Sequence, residues 1–243
     1  MLIPIAEIFG PTIQGEGPHV GMKTLFVRVA GCDFKCDWCD SKFAWTVEGA
    51  QKYEAADLAA ELVNKCQETH TSNVVLTGGN PCLYDFSEVL KVLHRWNITV
   101  DVETQGSIYP EWLYRVDLVV ISPKAPSSKQ RDVFEDVKKF LLDRFMMGSK
   151  QQVAIKIPVF DEVDFEFAKK YYDMVMYNRD SLNINVDLYL SVGNTDVHES
   201  GVIAPRVLAD YENLIDMVNS SEMKRVFILP QVHTLVWGNK QGV

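Results

Sequence analysis

The chain has 243 residues, 47% hydrophobic and 23% charged, with 14 glycines and 10 prolines, a composition that excludes disordered and fibrous classes. A formal net charge of -9 and a pI near 5.1 argue against a nucleic-acid binder, whose footprint is a basic excess. The pair Lys138-Lys139 reads as a solvated helix face, so a small-molecule substrate is expected, with no nucleic acid and no membrane as partner.

The opening "MLIPIAEIFGPTIQG" has no basic leader, and Pro4, Glu7, Gly10 and Pro11 cut its apolar run. It reads as neither a signal peptide nor a membrane span, which makes the cytoplasm the expected compartment. Up to about residue 23 the sequence predicts a hairpin-like extension with a Gly-rich loop. Beyond it, β-branched runs alternate with segments of helical period. Strands are predicted at 24–30, 73–78, 98–104, 117–122, 153–159, 186–192 and 225–231. Helices are predicted at about 53–67, 85–96, 131–145, 162–177 and 203–219, and a tail at about 231–243.

Strand, helix, strand in series means parallel β with right-handed crossovers. The expected fold is α/β: a partial or modified (β/α) barrel of about six parallel strands, with residues 1–243 in one domain. The unusual polar residues follow strand ends: the cysteines after 24–30, "TGGNP" after 73–77, "ETQG" after 98–102, "SPK" at the end of 117–122, "GNTD" after 186–192. In α/β barrels that C-terminal rim carries the active site, so an enzyme is expected.

Cys32, Cys36 and Cys39 form C-x3-C-x2-C, three of the chain's five cysteines. A structural zinc site closes with four ligands, and neither Cys66, Cys82 nor the scattered histidines offers a second pair. A thioredoxin-type pair leaves Cys32 unexplained. Three thiolates can hold a [4Fe-4S] cluster with one iron open to another ligand.

With Trp38 before the last cysteine, this spacing resembles the radical S-adenosylmethionine superfamily, in which the open iron chelates S-adenosylmethionine beside such an aromatic. "TGGNP" (77–81) is similar to that superfamily's GGEP stretch, with Asn80 where Glu is common. Its glycines are expected to let backbone approach a ligand closely.

The flanks are more specific. "EIFGPTIQGEGPHVGMKTLFVRVAGC" (7–32), "CDS" (39–41), "ETQG" (103–106), "ISPK" (121–124) and "LPQVHTLVWGNKQGV" (229–243) resemble the 7-carboxy-7-deazaguanine synthase family. The resemblance implies a radical S-adenosylmethionine lyase that contracts 6-carboxy-5,6,7,8-tetrahydropterin with loss of ammonia. It also implies an electron donor such as flavodoxin or ferredoxin, and a homodimer.

Site residues follow from the same resemblance. Ile13, Gln14, Gly15, Arg28, Thr77 and the carboxylate of Val243 are expected at the pterin. Trp38, Cys39, Asp40, Gly79, Gln105, Ser122, Pro123, Lys124 and Asn194 are expected at S-adenosylmethionine. Ser41 is expected to hold Mg2+. Arg28 stands out without the resemblance: by period two it faces away from Leu25, Val27 and Val29, and a guanidinium inside a barrel needs a partner, whether a substrate carboxylate or Glu7. The alternatives are a superfamily activating enzyme acting on a partner protein, and a zinc-stabilised binding module.

Overall fold

The computed structural model describes residues 2–149, 151–182, 184–194, 196, 199 and 201–242. Among these residues one sheet of nine strands carries the fold. β1 (Ile3–Ile13) lies antiparallel between β2 (Lys23–Val29) and β3 (Gln51–Tyr53). From β2 the sheet continues in parallel through β4 (Asn73–Gly78), β5 (Thr99–Thr104), β6 (Leu118–Ile121) and β7 (Gln152–Val159). It ends with β8 (Asp187–Val192) and β9 (Phe227–Leu229). The order runs from β3 at one edge to β9 at the other. The fold is an α/β partial barrel with seven parallel strands, one more than the round figure expected.

The crossovers are α1 (Ala55–Thr69), α2 (Ser87–Arg95), α3 (Phe134–Met146), α4 (Glu162–Leu182) and α5 (Ala204–Asn219). Three features depart from the expected elements. β1 is a full strand; its pairing with β2 shifts register around Gly10, where a Cβ would sit 2.9 Å from the Thr24 carbonyl oxygen, so periodicity breaks there. The strand expected at 225–231 shortens to β9. The tail forms a helical turn, α6 (Val232–Trp237), in a β-branched stretch whose propensity argues against helix.

Each parallel strand has two chemically distinct faces, as a period of two requires. Val27, Val29, Val74, Leu76, Val100, Val102, Val119, Ile121, Ile155, Ile157, Leu188 and Leu190 join one hydrophobic core with Leu58, Leu62, Leu90, Leu93, Phe140 and Tyr171 of the helices. The opposite face presents Arg28, Thr77, Asp101, Glu103 and Lys156. The barrel interior is therefore the polar side, and burial against the helices holds the sheet together.

The N-terminal loop occupies part of that interior. Ile13 pairs with Lys23 at the start of β2, so residues 14–22 leave from the N-terminal end of the parallel strands. They fold back inside: Gln14 is 6% exposed and donates from Nε2 to Glu103 Oε1 at 3.1 Å.

Candidate active site

A cavity of about 250 Å³ opens in the barrel interior. Its walls combine Arg28 of β2, Thr77 of β4, Glu103 of β5 and Lys156 of β7 with the cysteine loop and the N-terminal loop. Of the expected site residues, Ile13, Gln14, Gly15, Arg28, Cys32, Cys36, Trp38, Cys39, Asp40, Ser41, Thr77, Gly79, Gln105, Ser122, Lys124 and Asn194 line it. Pro123 is buried behind the lining, and Val243 lies outside the described residues.

Backbone hydrogen bonds pin the cysteine loop on both sides. Gly31 and Cys32 N–H donate to the Ala44 and Trp45 carbonyls, at 2.8 and 3.2 Å. Asn80 N–H donates to the Gly31 carbonyl at 2.8 Å. The Gly79 Cβ position lies 2.0 Å from the Gly31 carbonyl oxygen and 2.9 Å from that of Ala44. Glycine there serves the packing of "TGGNP" on the cysteine loop. The missing side chain would point into the protein, while Gly79 itself still lines the cavity.

Asn80 is fully buried and fully engaged. Its amide nitrogen donates to Asp33 and Ser107, at 2.9 and 3.2 Å, while its oxygen accepts from Cys82 N–H and Thr104 Oγ1. A glutamate could not donate to Asp33, so the amide ties the cysteine loop to β5. Gln105 makes the same tie, donating to Asp33 Oδ1 at 2.5 Å and lying 3.9 Å from Cys32 Sγ.

All three motif cysteines line the cavity, with Cys36 also packed in the hydrophobic core, whereas Cys66 and Cys82 lie in that core without reaching the cavity. Burial pushes the Cys36 thiol up to about 11 and raises Cys32 and Cys39, with Lys124 pulling against burial at all three. Thiols in this state release protons on binding a metal. Among the described residues no three Cys, His, Asp or Glu side chains close round a single-ion site. The three cysteines do line one cavity, and a cluster can take one thiolate at each of three irons. The donor set fits a [4Fe-4S] group with three protein ligands.

Beside this wall, Trp38 packs on Phe160 at 4.9 Å, and Lys124 Nζ stands 5.6 Å over the Trp38 ring. Trp38 Nε1 donates to Ser127 Oγ at 2.9 Å, and Lys124 donates to Ser122 Oγ at 3.0 Å. Asn194 has its amide held by Asn239 and Arg206, at 2.6 and 3.0 Å.

Arg28 donates from Nε to Glu7 Oε1 at 2.7 Å and from Nη1 to Ser41 Oγ, two residues after Cys39, at 2.9 Å. Glu7 is thus the structural partner of Arg28, whose side chain also lines the cavity. Ser41 in turn donates to Asp40 Oδ1 at 2.8 Å.

Several cavity residues were absent from the expected set. Glu103 accepts from Gln14 and, at 2.9 Å, from Thr77 Oγ1. Lys156 pairs with Glu16 at 2.6 Å, and Gln231 Nε2 donates to the other Glu16 oxygen at 3.1 Å. Burial opposes the Glu16 charge, but Lys156, then His233 and these hydrogen bonds outweigh it and pull the carboxyl down to about 2. Glu103 and Lys156 carry the signal that singled out Arg28: a charge at an inward position of an apolar strand.

A family model described as a 4Fe-4S single cluster domain matches residues 13–110, which include all three motif cysteines. Along the whole chain, 7-carboxy-7-deazaguanine synthase of Bacillus subtilis (strain 168) is 40% identical, over 99% of this chain and 98% of the relative. The chain belongs to the 7-carboxy-7-deazaguanine synthase family. The synthase of Bacillus cereus is likewise 40% identical, over 99% of both chains.

Solved structures agree on the fold. The crystal structure of QueE from Escherichia coli superposes with a TM-score of 0.66 at 22% identity, covering 96% of this chain and 95% of that one. Streptococcus suis SuiB bound to S-adenosylmethionine gives 0.55 at 16% identity, over 84% of this chain and 47% of that one.

Proposed function

We propose that this chain is a 7-carboxy-7-deazaguanine synthase, converting 6-carboxy-5,6,7,8-tetrahydropterin to 7-carboxy-7-deazaguanine with loss of ammonia, on the route to queuosine and other 7-deazapurines. The observation that carries it is the full-length 40% identity to a curated synthase. When bound, the cluster and S-adenosylmethionine would supply the radical chemistry of the ring contraction.

In this reading the chain's residues bind, orient and exclude water. Cys32, Cys36 and Cys39 hold the cluster. Trp38, Asp40, Gly79, Gln105, Ser122, Lys124 and Asn194, with Pro123 behind them, shape the S-adenosylmethionine side. Ile13, Gln14, Gly15 and Thr77 meet the donor-acceptor edge of the pterin. Arg28 takes the substrate carboxylate, since its guanidinium fork faces the cavity beyond its bond to Glu7.

Mg2+ at Ser41 completes the reading. The Ser41 hydroxyl donates to Asp40 and accepts from Arg28, which leaves one oxygen lone pair for an ion. A substrate carboxylate between Arg28 and Mg2+ would screen the two cations, and water would fill the rest of the octahedron. Flavodoxin or ferredoxin as donor, a homodimer and a cytoplasmic setting belong to the same proposal. Among the described residues no helix is long and apolar enough to cross a membrane.

The test is anaerobic incubation with the carboxytetrahydropterin, S-adenosylmethionine, dithionite and graded Mg2+, following the deazapurine chromophore. Absence of that chromophore from a cluster-loaded protein would reject the synthase reading. Superimposable Mg2+ curves for wild type, Ser41→Ala and Ser41→Thr would reject the metal assignment alone.

A further inference from the structure

Gln14 and Glu16 of the N-terminal loop line the cavity, but a third polar side chain of that loop turns elsewhere. His19 directs Nδ1 to Asp101 Oδ2 at 2.7 Å, on β5 two residues before Glu103. Asp101 is 1% exposed, and its other oxygen has no partner among the described residues. A carboxylate so buried depends on the one side-chain hydrogen bond it makes, that to His19.

His19 is also wired to the cavity floor through the backbone. Met22 N–H donates to the His19 carbonyl at 2.9 Å, Gln14 N–H to the Met22 carbonyl at 2.8 Å, and Gly21 N–H to the Gln14 carbonyl at 2.8 Å. His19 and Gln14 therefore belong to one hydrogen-bonded turn. β5 holds that turn at two points on its inward face, Asp101 for His19 and Glu103 for Gln14.

We propose that the His19–Asp101 pair is a proton-dependent latch that seats residues 14–16 as the floor of the substrate cavity, making His19 a positioning residue. The effect on catalysis rests on the reading that residues 14–16 meet the pterin; the seating of the loop does not.

The charges acting on His19 are Asp101 on β5 and Asp117 just before β6. Asp117 Oδ2 is itself engaged by His94 Nε2 at 3.0 Å and Val100 N–H at 2.7 Å. The hydrogen bond to Asp101 raises the imidazole above its ordinary value of about 6.5, against the opposing effect of burial. A raised value means the latch is complete below about pH 6.5 and is lost as pH climbs through the folded value.

The experiment is hydrogen exchange of the Gln14, Gly21 and Met22 amides in cluster- and S-adenosylmethionine-loaded protein, without pterin, from about pH 6 to about 9. Wild-type protection should fall about tenfold with one inflection above pH 6.5. Asp101→Asn should move that inflection to lower pH, and His19→Gln should abolish it. A flat wild-type profile, or an inflection that neither variant moves, overturns the latch.

The KM for the carboxytetrahydropterin, measured over the same range, should rise with the same inflection while kcat changes little. A KM that stays flat while protection falls overturns the positioning role. A wild type that never turns over the pterin rejects the synthase reading, and the exchange result still decides the latch.

Discussion

Lys156 Nζ on β7 stands 2.6 Å from Glu16 Oε2, so a strand deep in the parallel sheet grips a loop that enters from the sheet's opposite end. The two side chains are 10% and 14% exposed, which keeps solvent from screening them. Lys156→Met should therefore destabilise the protein by about 3 kcal/mol, because the Glu16 charge stays buried without its cation. Glu16→Gln should cost less, since Glu103 and Asp40 still act on Lys156. The Glu16 carboxyl is lowered from 4.5 to about 2, so its contribution is complete above pH 4.5 and fades as pH falls toward 2. Denaturant titrations of wild type and Glu16→Gln should converge across that window.

Replacing Cys32, Cys36 or Cys39 by Ala should remove the iron absorbance and S-adenosylmethionine cleavage together. Cys66→Ala and Cys82→Ala should keep both, at a cost of stability only, because those thiols pack in the hydrophobic core. Iron content per chain after anaerobic reconstitution checks this; loss of iron from Cys82→Ala would refute the three-ligand cluster.

Arg28→Ala should weaken pterin binding by on the order of 2–5 kcal/mol while reductive cleavage of S-adenosylmethionine continues. Arg28→Lys should restore little, because one ammonium cannot hold Glu7 and Ser41 at once with the planar fork that now spans them. Binding measured without reductant separates this from turnover. Unchanged affinity in Arg28→Ala would leave Arg28 with its structural contacts alone.

Gly15→Ala should push the tail off the floor loop. A Cβ at Gly15 would lie 2.3 Å from His233 Nδ1, and Val232 N–H donates to the Gly15 carbonyl at 3.1 Å. The added methyl should raise KM several-fold with the cluster intact. Matching kinetics for Gly15→Ala and wild type would mean that residues 231–233 are free to yield.

The parallel strands were legible because each crossover supplies a helical period between two β-branched runs, and burial enforces both. The cysteine loop was legible through spacing alone. Glu16, His19 and Lys156 were not, because their partners lie up to 215 residues away and no local pattern marks a loop that re-enters the barrel. β1 was legible only as an arm of a hairpin-like extension, because the register shift at Gly10 breaks its period, and α6 was not legible because a tertiary contact overrides β-branched propensity. Gln105 and Asn80 were noticed as motif residues, yet their amides brace Asp33, which only the folded distances show.

The two-faced strands also determine where this chain can change length. Inserting one residue at the head of β5, before Val100, would turn Asp101 and Glu103 toward the helices and Val100 and Val102 toward the cavity, exchanging site for core in one step. The same insertion beyond a strand end, in the rim loops, leaves every strand in phase. Lineages of this fold can therefore lengthen the rim, whereas single-residue insertions or deletions within β2, β4, β5 and β7 should be purged.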